Sequence, residues 1–350
     1  MQQKFRMFLY IIRPIGIRVK ICDYVNQNTA HSRGIDLSER TVLEMSVITK
    51  AGLLALAAVL LLPSAQTTQA AQPEPLIVIV QKRQDAQERT LRVLRDGSVE
   101  EAALDTYLAQ VVLSEMPASF APEALKAQAV AARTYQVRQM QAAGSRAVLY
   151  DVGQAYLSEA EQKEKWGEGY ALYAGKIHSA VRATAGEIMT YDGEPILAAF
   201  HAQSGGRTED AAHVWNTAVP YLKSVDSKGD RQAPNNETTV TIAAKALAER
   251  LGIAEDAAVS VKKRTEAGYV AEVQAGSKTF SGREIRERLG LRSADFTIAK
   301  NGDSYIFTVH GYGHGAGMSQ YGASFLAEQG KNYHEILRHY YTGISFSILE

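Results

Sequence analysis

Apolar residues recur at helical spacing along one stretch of the chain, where Leu104, Leu108, Val111 and Val112 share a stripe. That spacing predicts an amphipathic helix burying this face. The next position on the stripe is Glu115, followed by Met116 and Pro117. A proline disfavours helical geometry at the residue before it, so the helix is expected to end there. A second start follows at Pro122 and Glu123, a proline suited to a first helical turn and an acid favourable to the positive helix end. Leu125, Ala129 and Ala132 then form a narrow stripe of small side chains that admits close approach of another helix, in a pattern that runs on to Met140. Two helices joined by a proline corner are predicted, with a carboxylate where the first should be burying itself.

Strand-like runs surround this pair. Residues 76–81 and 90–94 read as strands, the second ending in a turn at Asp96 and Gly97, and 148–152 and 155–157 as short extended pieces. Residues 158–169 read as a loop or surface helix carrying Trp166, either a substrate platform or an ordinary packing tryptophan, and 177–184 as a helix. Residues 187–191 and 195–201 read as two strands about an Asp-Gly turn. The second ends in His201, Ala202, Gln203, Ser204, Gly205 and Gly206, a polar cluster suited either to a binding site or to a satisfied hairpin edge. Trp215 and Tyr221 follow, near a proline, as ring platforms or core anchors.

Residues 230–237 read as a turn and 242–251 as a helix. The runs 259–262, 269–274 and 278–280 suggest an antiparallel meander. Ser281 and Glu284 make a capping box for a helix over 282–289, and strands are expected at 296–298 and 305–309. After the glycine-rich run from Gly311 to Gly317, Ser319 is placed to cap a helix over 320–329, with another over 333–340. The expected fold class is α+β: a helical core carrying the acid, antiparallel strands, and a second small α/β lobe over 236–306.

The start of the chain reads differently. Residues 51–62 are nearly all Leu, Ala and Val, with Lys50 before them and a Gln, Thr, Ala and Pro-rich tail behind. Length and flanks fit the apolar part of a secretion signal beginning at Met45 and cleavable at Ala70, or a short anchor. Residues 1–44 are expected to be an extension or a misassigned start, 45–75 a signal or anchor with its tether, and 76–344 the working region, outside the cytoplasmic membrane. The 350 residues carry 38 basic and 38 acidic side chains, so no global field favours nucleic acid. The single cysteine, Cys22, excludes an intramolecular disulfide and a cysteine-rich zinc site.

An acid on an apolar face is costly unless paired, hydrogen-bonded or protonated. Glu115 is therefore the first candidate for chemistry, beside the plainer readings that it pairs with Lys126 or Arg133 or turns outward at a frayed end. The glycine loop holds His314 but lacks the Gly-Lys-Ser/Thr ending of a phosphate loop. GxSxG and HExxH are absent, no close metal triad stands out, and His201, His213 and His314 are left to converge only in three dimensions. No cofactor and no metal are expected, and carboxylate acid-base chemistry is the better enzyme hypothesis.

The strings VVLSEMPASFAPEALKAQAVAARTY, PILAAFHAQSGGRTED, VWNTAVPYLKSV and GYGHGAGMSQYGASFLAEQGKNYHEILRHYY together closely resemble the stage II sporulation protein D family, which includes domains related to an amidase-enhancer protein. The resemblance implies a peptidoglycan lytic transglycosylase. Its substrate would be glycan strands freed of stem peptides during forespore engulfment, and its products 1,6-anhydro-N-acetylmuramic acid ends. The catalytic acid lies in the SEMP-type string, hence at Glu115. The resemblance further implies a membrane anchor, a place at the sporulation septum and engulfing mother-cell membrane, and partnership with a sporulation amidase and a membrane scaffold protein. Some members bind zinc through histidine and cysteines, a ligand set that the region after residue 75 does not contain. Supporting roles in substrate binding are assigned to Gln128, Arg133 and Tyr135 beside the acid, to His201, Gln203 and Ser204 at the strand end, and to His314, Ser319, Gln320 and Tyr321 near the glycine loop. The competing class is a non-catalytic glycan-binding activator of a cell-wall amidase.

Overall fold

The computed structural model describes residues 6–12, 17–23, 89–95, 98–144 and 154–349. Strands β1 (Arg6–Ile12) and β2 (Ile17–Asp23) pair antiparallel, Arg6 opposite Asp23, within a unit of their own, Met1–Val80. A hairpin thus occupies part of the segment expected to hold no domain. The signal or anchor and its tether at 45–75, the strand expected at 76–81, the turn at Asp96 and Gly97 and the extended piece at 148–152 lie outside the described residues. Among those described, no helix is long and apolar enough to cross a membrane.

Everything that positions the candidate acid lies in the second unit, Gln81–Glu350. It opens on the hairpin of β3 (Thr90–Arg95) and β4 (Ser98–Ala103), which feeds directly into α1 (Leu104–Glu115). The predicted stripe of α1 is buried: Leu104, Leu108, Val111 and Val112 are 4% exposed or less. At about 1.5–3 kcal/mol for each large apolar side chain buried, this face holds the helix against its neighbours. Met116, at φ −122° and ψ 140°, ends the helix in the extended geometry that a following proline demands. Helix α2 (Pro122–Ala143) starts on Pro122, and its row of alanines lets α1 and α4 approach closely.

Helix α3 (Glu159–Trp166) begins on a capping box of Ser158 and Glu161, and α4 (Tyr170–Ala183) runs longer than its apolar pattern indicated. Then β5 (Glu187–Tyr191) pairs with β6 (Glu194–Pro195) across Asp192 and Gly193, both at positive φ, as a tight hairpin requires. The single strand expected over 195–201 is broken into β6 and β7 (Phe200–His201). Between them the backbone finds partners elsewhere: the Leu197 amide donates to the Tyr221 hydroxyl, and the Tyr341 hydroxyl donates to the Ala199 carbonyl. Tertiary partners have replaced the ladder there.

After α5 (Ala211–Trp215) comes a second apolar cluster. Strand β8 (Glu237–Ala243) precedes α6 (Ala244–Leu251), so Ile242, expected in a helix, is in a strand opposite Tyr305. The ladder with a long neighbouring strand overrides the helical pattern. β9 (Val259–Arg264), β10 (Val270–Ala275) and β11 (Lys278–Phe280) form the expected antiparallel meander, and α7 (Gly282–Leu289) carries the expected capping box. β12 (Asp295–Asn301) and β13 (Ser304–His310) complete a sheet in the order β12-β13-β8. Ile242, Leu247, Val273, Ile285, Phe296 and Phe307 belong to this cluster.

The chain then returns to the first core. β14 (Met318–Ser319) pairs in parallel with β7, bringing the glycine loop against the strand end, and leads into α8 (Gln320–Glu328), α9 (Tyr333–Tyr340) and β15 (Ser345–Ile348), which pairs with β5. This return requires glycine at 317, where φ is +73° and an added Cβ would lie 2.0 Å from the Ala199 carbonyl oxygen. The architecture is a mixed α+β fold with several small sheets.

Candidate functional site

Glu115 sits where α1 stops, and the change of chain direction at Met116 and Pro117 opens a cleft of about 450 Å³ beside it. Leu113, Pro117, Lys165, Trp166 and Tyr173 contribute walls, and Glu115 is the one acid among the described lining residues. One carboxyl oxygen, Oε1, accepts from the Ala155 backbone amide, and Oε2 accepts from Nε2 of Gln320 at 3.3 Å. The carboxyl is thus oriented from both sides, by the segment before α3 and by the first residue of α8. Burial raises its pKa above the ordinary carboxylate value, and the two donors offset only part of that shift. A carboxyl group whose pKa is raised at the wall of an open cleft is chemically suited to proton transfer.

Neither cation weighed as its partner is there. Lys126 pairs with Glu123 at 2.6 Å. Arg133 is fully buried: its guanidinium donates to the carbonyls of Val181 (3.1 Å), Thr184 (2.7 Å) and Glu187 (3.2 Å), and pairs with Asp105 at 3.1 Å. It ties the end of α4 to the start of α1 and β5, one full helix length from Glu115. The placement of Arg133 beside the acid is therefore corrected; its planar fork is used up on backbone oxygens.

Of the other expected companions, Gln320 is the one hydrogen-bonded to Glu115. Tyr321 follows it and packs edge-on against Phe120, with ring centroids 4.9 Å apart. Gln128 is fully buried in α2, with neither amide atom hydrogen-bonded. Tyr135 accepts from Gln139 and lines a separate cavity of about 340 Å³ with Gln154, Phe200, Trp215 and His314.

The strand-end cluster proves to be chiefly internal scaffolding. Gln203 exchanges backbone hydrogen bonds with Tyr312, and its side chain is held by Asn236 and the Pro234 carbonyl. Ser204 and Ser319 both donate to the buried carboxylate of Asp230, at 2.5 and 2.6 Å. Ser319 also caps α8 through the Gly322 amide, as its position suggested. Asp230 was missed because it falls in a polar, turn-like stretch without periodicity. Nothing local marks it as the point where two distant segments are joined.

His201 and His314 lie with ring centroids 5.6 Å apart. Nδ1 of His201 is 3.2 Å from the Ala316 carbonyl, so Nδ1 carries the proton and donates; Nε2 is buried without a partner. Nδ1 of His314 accepts from the Ala316 amide at 3.1 Å. Burial pushes the pKa of His201 down to about 3 and that of His314 to about 4, so both are neutral. His213 turns to Glu209, with Nδ1 at 3.0 Å from Oε1. Among the described residues no group of three or more His, Cys, Asp or Glu is arranged to hold a metal ion.

A family model described as Stage II sporulation protein matches residues 95–191, the span containing α1, α2 and Glu115. Over 260 residues the chain is 45% identical to stage II sporulation protein D of Bacillus subtilis (strain 168), covering 71% of this chain and 76% of that protein. Its identity to stage II sporulation protein D of Bacillus amyloliquefaciens is 44%, with the same coverage. A more distant relative, 28% identical over 297 residues, is the amidase enhancer of Bacillus subtilis (strain 168), with 68% of this chain and 40% of that protein covered.

Proposed function

This chain belongs to the stage II sporulation protein D family, and on that premise we propose that it cleaves peptidoglycan glycan strands as a lytic transglycosylase, with Glu115 as its acid. The observation that carries the reading is the Glu115 carboxyl itself. It is held by Ala155 and Gln320, has its pKa raised by burial, and is the one acid among the described residues of its cleft. In the proposed step Glu115 gives its proton to the glycosidic oxygen as the C1–O bond of N-acetylmuramic acid breaks. The C6 hydroxyl attacks C1 and returns its proton to Glu115, closing a 1,6-anhydro ring. One carboxyl group serves both transfers, so no second carboxylate at hydrolase spacing is needed. The site of action proposed is the peptide-free glycan at the engulfing septum, outside the cytoplasmic membrane, in company with a sporulation amidase and a membrane scaffold protein.

A second reading, a glycan-binding activator of a cell-wall amidase, is favoured by the relative named amidase enhancer. The relatives' names support it more directly than they support the bond cleavage; the geometry of Glu115 supports the cleavage. Mass spectrometry of products from purified peptidoglycan and from peptide-free glycan, with and without an amidase, separates the two. Anhydro-muramyl ends that depend on Glu115 are expected. Intact glycan accompanied by faster stem-peptide release would transfer the proposal to the activator reading.

A further inference from the structure

A cavity of about 310 Å³, at the lower end of the size range of small-molecule sites, opens between α5, the meander and α7. It shares Trp215 and His314 with the neighbouring Tyr135 cavity, whose Gln154 immediately precedes the residue that binds Glu115. Two of the recesses thus share a wall, and the second is linked through adjacent chain to the Glu115 carboxyl. Their charges are not equally satisfied. Glu209 is buried and accepts from the Asp210 amide (2.8 Å), from Thr265 (2.5 Å) and from His213 (3.0 Å). Glu287 pairs with Arg283 at 2.8 Å. Arg286 is the exception: half-buried on α7, its guanidinium has no hydrogen bond or ion pair among the described residues.

Arg286 is also held firmly. Four residues earlier, Gly282 lies so close to β10 that an added Cβ would stand 2.1 Å from the Val270 carbonyl oxygen, and Ile285 is fully buried. The backbone that carries the guanidinium is thereby fixed against β10. Burial lowers the pKa of Arg286, Glu287 on the same helix offsets part of that shift through space, and the charge of Arg286 in turn depresses the imidazoles of His201 and His314, so the guanidinium stands beside neutral rings with no carboxylate in ion-pair contact among the described residues. An unsatisfied arginine fork matches a carboxylate in shape and charge, and the indole of Trp215 offers an apolar face of the kind that sugar rings cover.

We infer that this cavity, through Arg286 and Trp215, binds the carboxylate of a saccharide unit, namely the free lactyl group of peptide-free N-acetylmuramic acid. The inference rests on the glycan reading of the Glu115 cleft. It adds a reason for preferring stripped strands: the lactyl group is an anion when free and a neutral amide when it carries a peptide.

Calorimetric binding to Glu115→Gln protein, in which turnover is blocked, tests it with four ligands. These are a peptide-free muramic-acid oligosaccharide, its lactyl methyl ester, the peptide-bearing form, and a chitooligosaccharide of the same length. The free acid is expected to bind about tenfold or more tightly than the ester. Adding Arg286→Gln should erase that preference and leave chitooligosaccharide affinity within about twofold, with Arg286→Lys between the two and all thermal midpoints alike. Equal affinity for acid and ester, or a preference that survives Arg286→Gln, would overturn the inference. So would equal, Arg286-dependent binding of the peptide-bearing form, which would assign the arginine to a stem-peptide carboxylate. The cleavage reading is judged separately: wild-type protein that makes anhydro ends but shows no ester discrimination keeps Glu115 as the acid and loses Arg286 as the reader.

Discussion

Glu115 and Asp230 are both carboxyl groups whose burial raises their pKa, yet their surroundings differ. Asp230 is sealed. Its two oxygens are taken by the Ser204 amide (2.8 Å), the hydroxyls of Ser204 and Ser319, and a further bond from Ser227, and it ties the end of β7 to the start of α8. Glu115 borders an open cleft and has one backbone donor and one long side-chain donor. The difference teaches that burial by itself does not mark an active carboxyl. What matters is whether protein donors already fill its acceptor sites or a substrate oxygen still has room to approach. The same contrast separates Arg133, whose guanidinium is used up on carbonyls and Asp105, from Arg286, whose guanidinium is not.

The most severe test of the comparison is Glu115→Gln, which keeps size and one of the two acceptor oxygens but removes the transferable proton. Anhydro-product formation is expected to fall by about 10²–10⁴-fold, read by mass spectrometry, with the thermal midpoint no lower than wild type. Normal product yield from this variant would leave the two carboxyls indistinguishable. Asp230→Ala should do the reverse, costing about 3 kcal/mol in urea unfolding because buried hydroxyl and amide donors lose a charged acceptor. Arg133→Lys is expected to cost about 2 kcal/mol, since an ammonium cannot span three carbonyls and Asp105 at once. Arg286→Gln should change stability by no more than about 0.5 kcal/mol.

The remaining effects lie in pH dependence, and they have opposite signs. The folded pKa of Glu115 is raised above its unfolded value near 4.5, so its ionised form destabilises the fold. The stability advantage of Glu115→Gln should therefore be largest at neutral pH and vanish as pH falls below about 4.5. The folded pKa values of His201 and His314 are depressed to about 3 and about 4, below the ordinary 6.5. The unfolded chain thus binds more protons, and wild-type stability should begin to decline as pH drops through about 6.5. Urea midpoints of wild type and Glu115→Gln measured across this range test both slopes, and a Glu115→Gln curve flat from about 6.5 down to about 4.5 would contradict the neutral histidine pair.

Local chemistry made much of this molecule legible in its residues. The α1 stripe with Glu115 at its end, the proline corner, the start of α2 at Pro122, the capping box of Ser281 and Glu284 and the cap at Ser319 all depend on neighbours within one helical turn, and all were readable as such. Tertiary structure decided whatever depends on partners far along the chain. The run 195–201 looks like one strand but is divided because Tyr221 and Tyr341 supply its hydrogen bonds. Ile242 lies in a strand because Tyr305 is opposite it. Ser204 and Ser319 look like ligands until Asp230 meets them, and Arg133 looks like the partner of Glu115 until its guanidinium reaches the end of α4. The residues themselves determined that an acid would stand at the end of a buried stripe; only the fold decided that Ala155 and Gln320 would hold it, that a cleft would open beside it and that Arg286 would face a separate cavity without an ion pair among the described residues, because hydrogen-bond partners and empty space are properties of segments brought together across long separations.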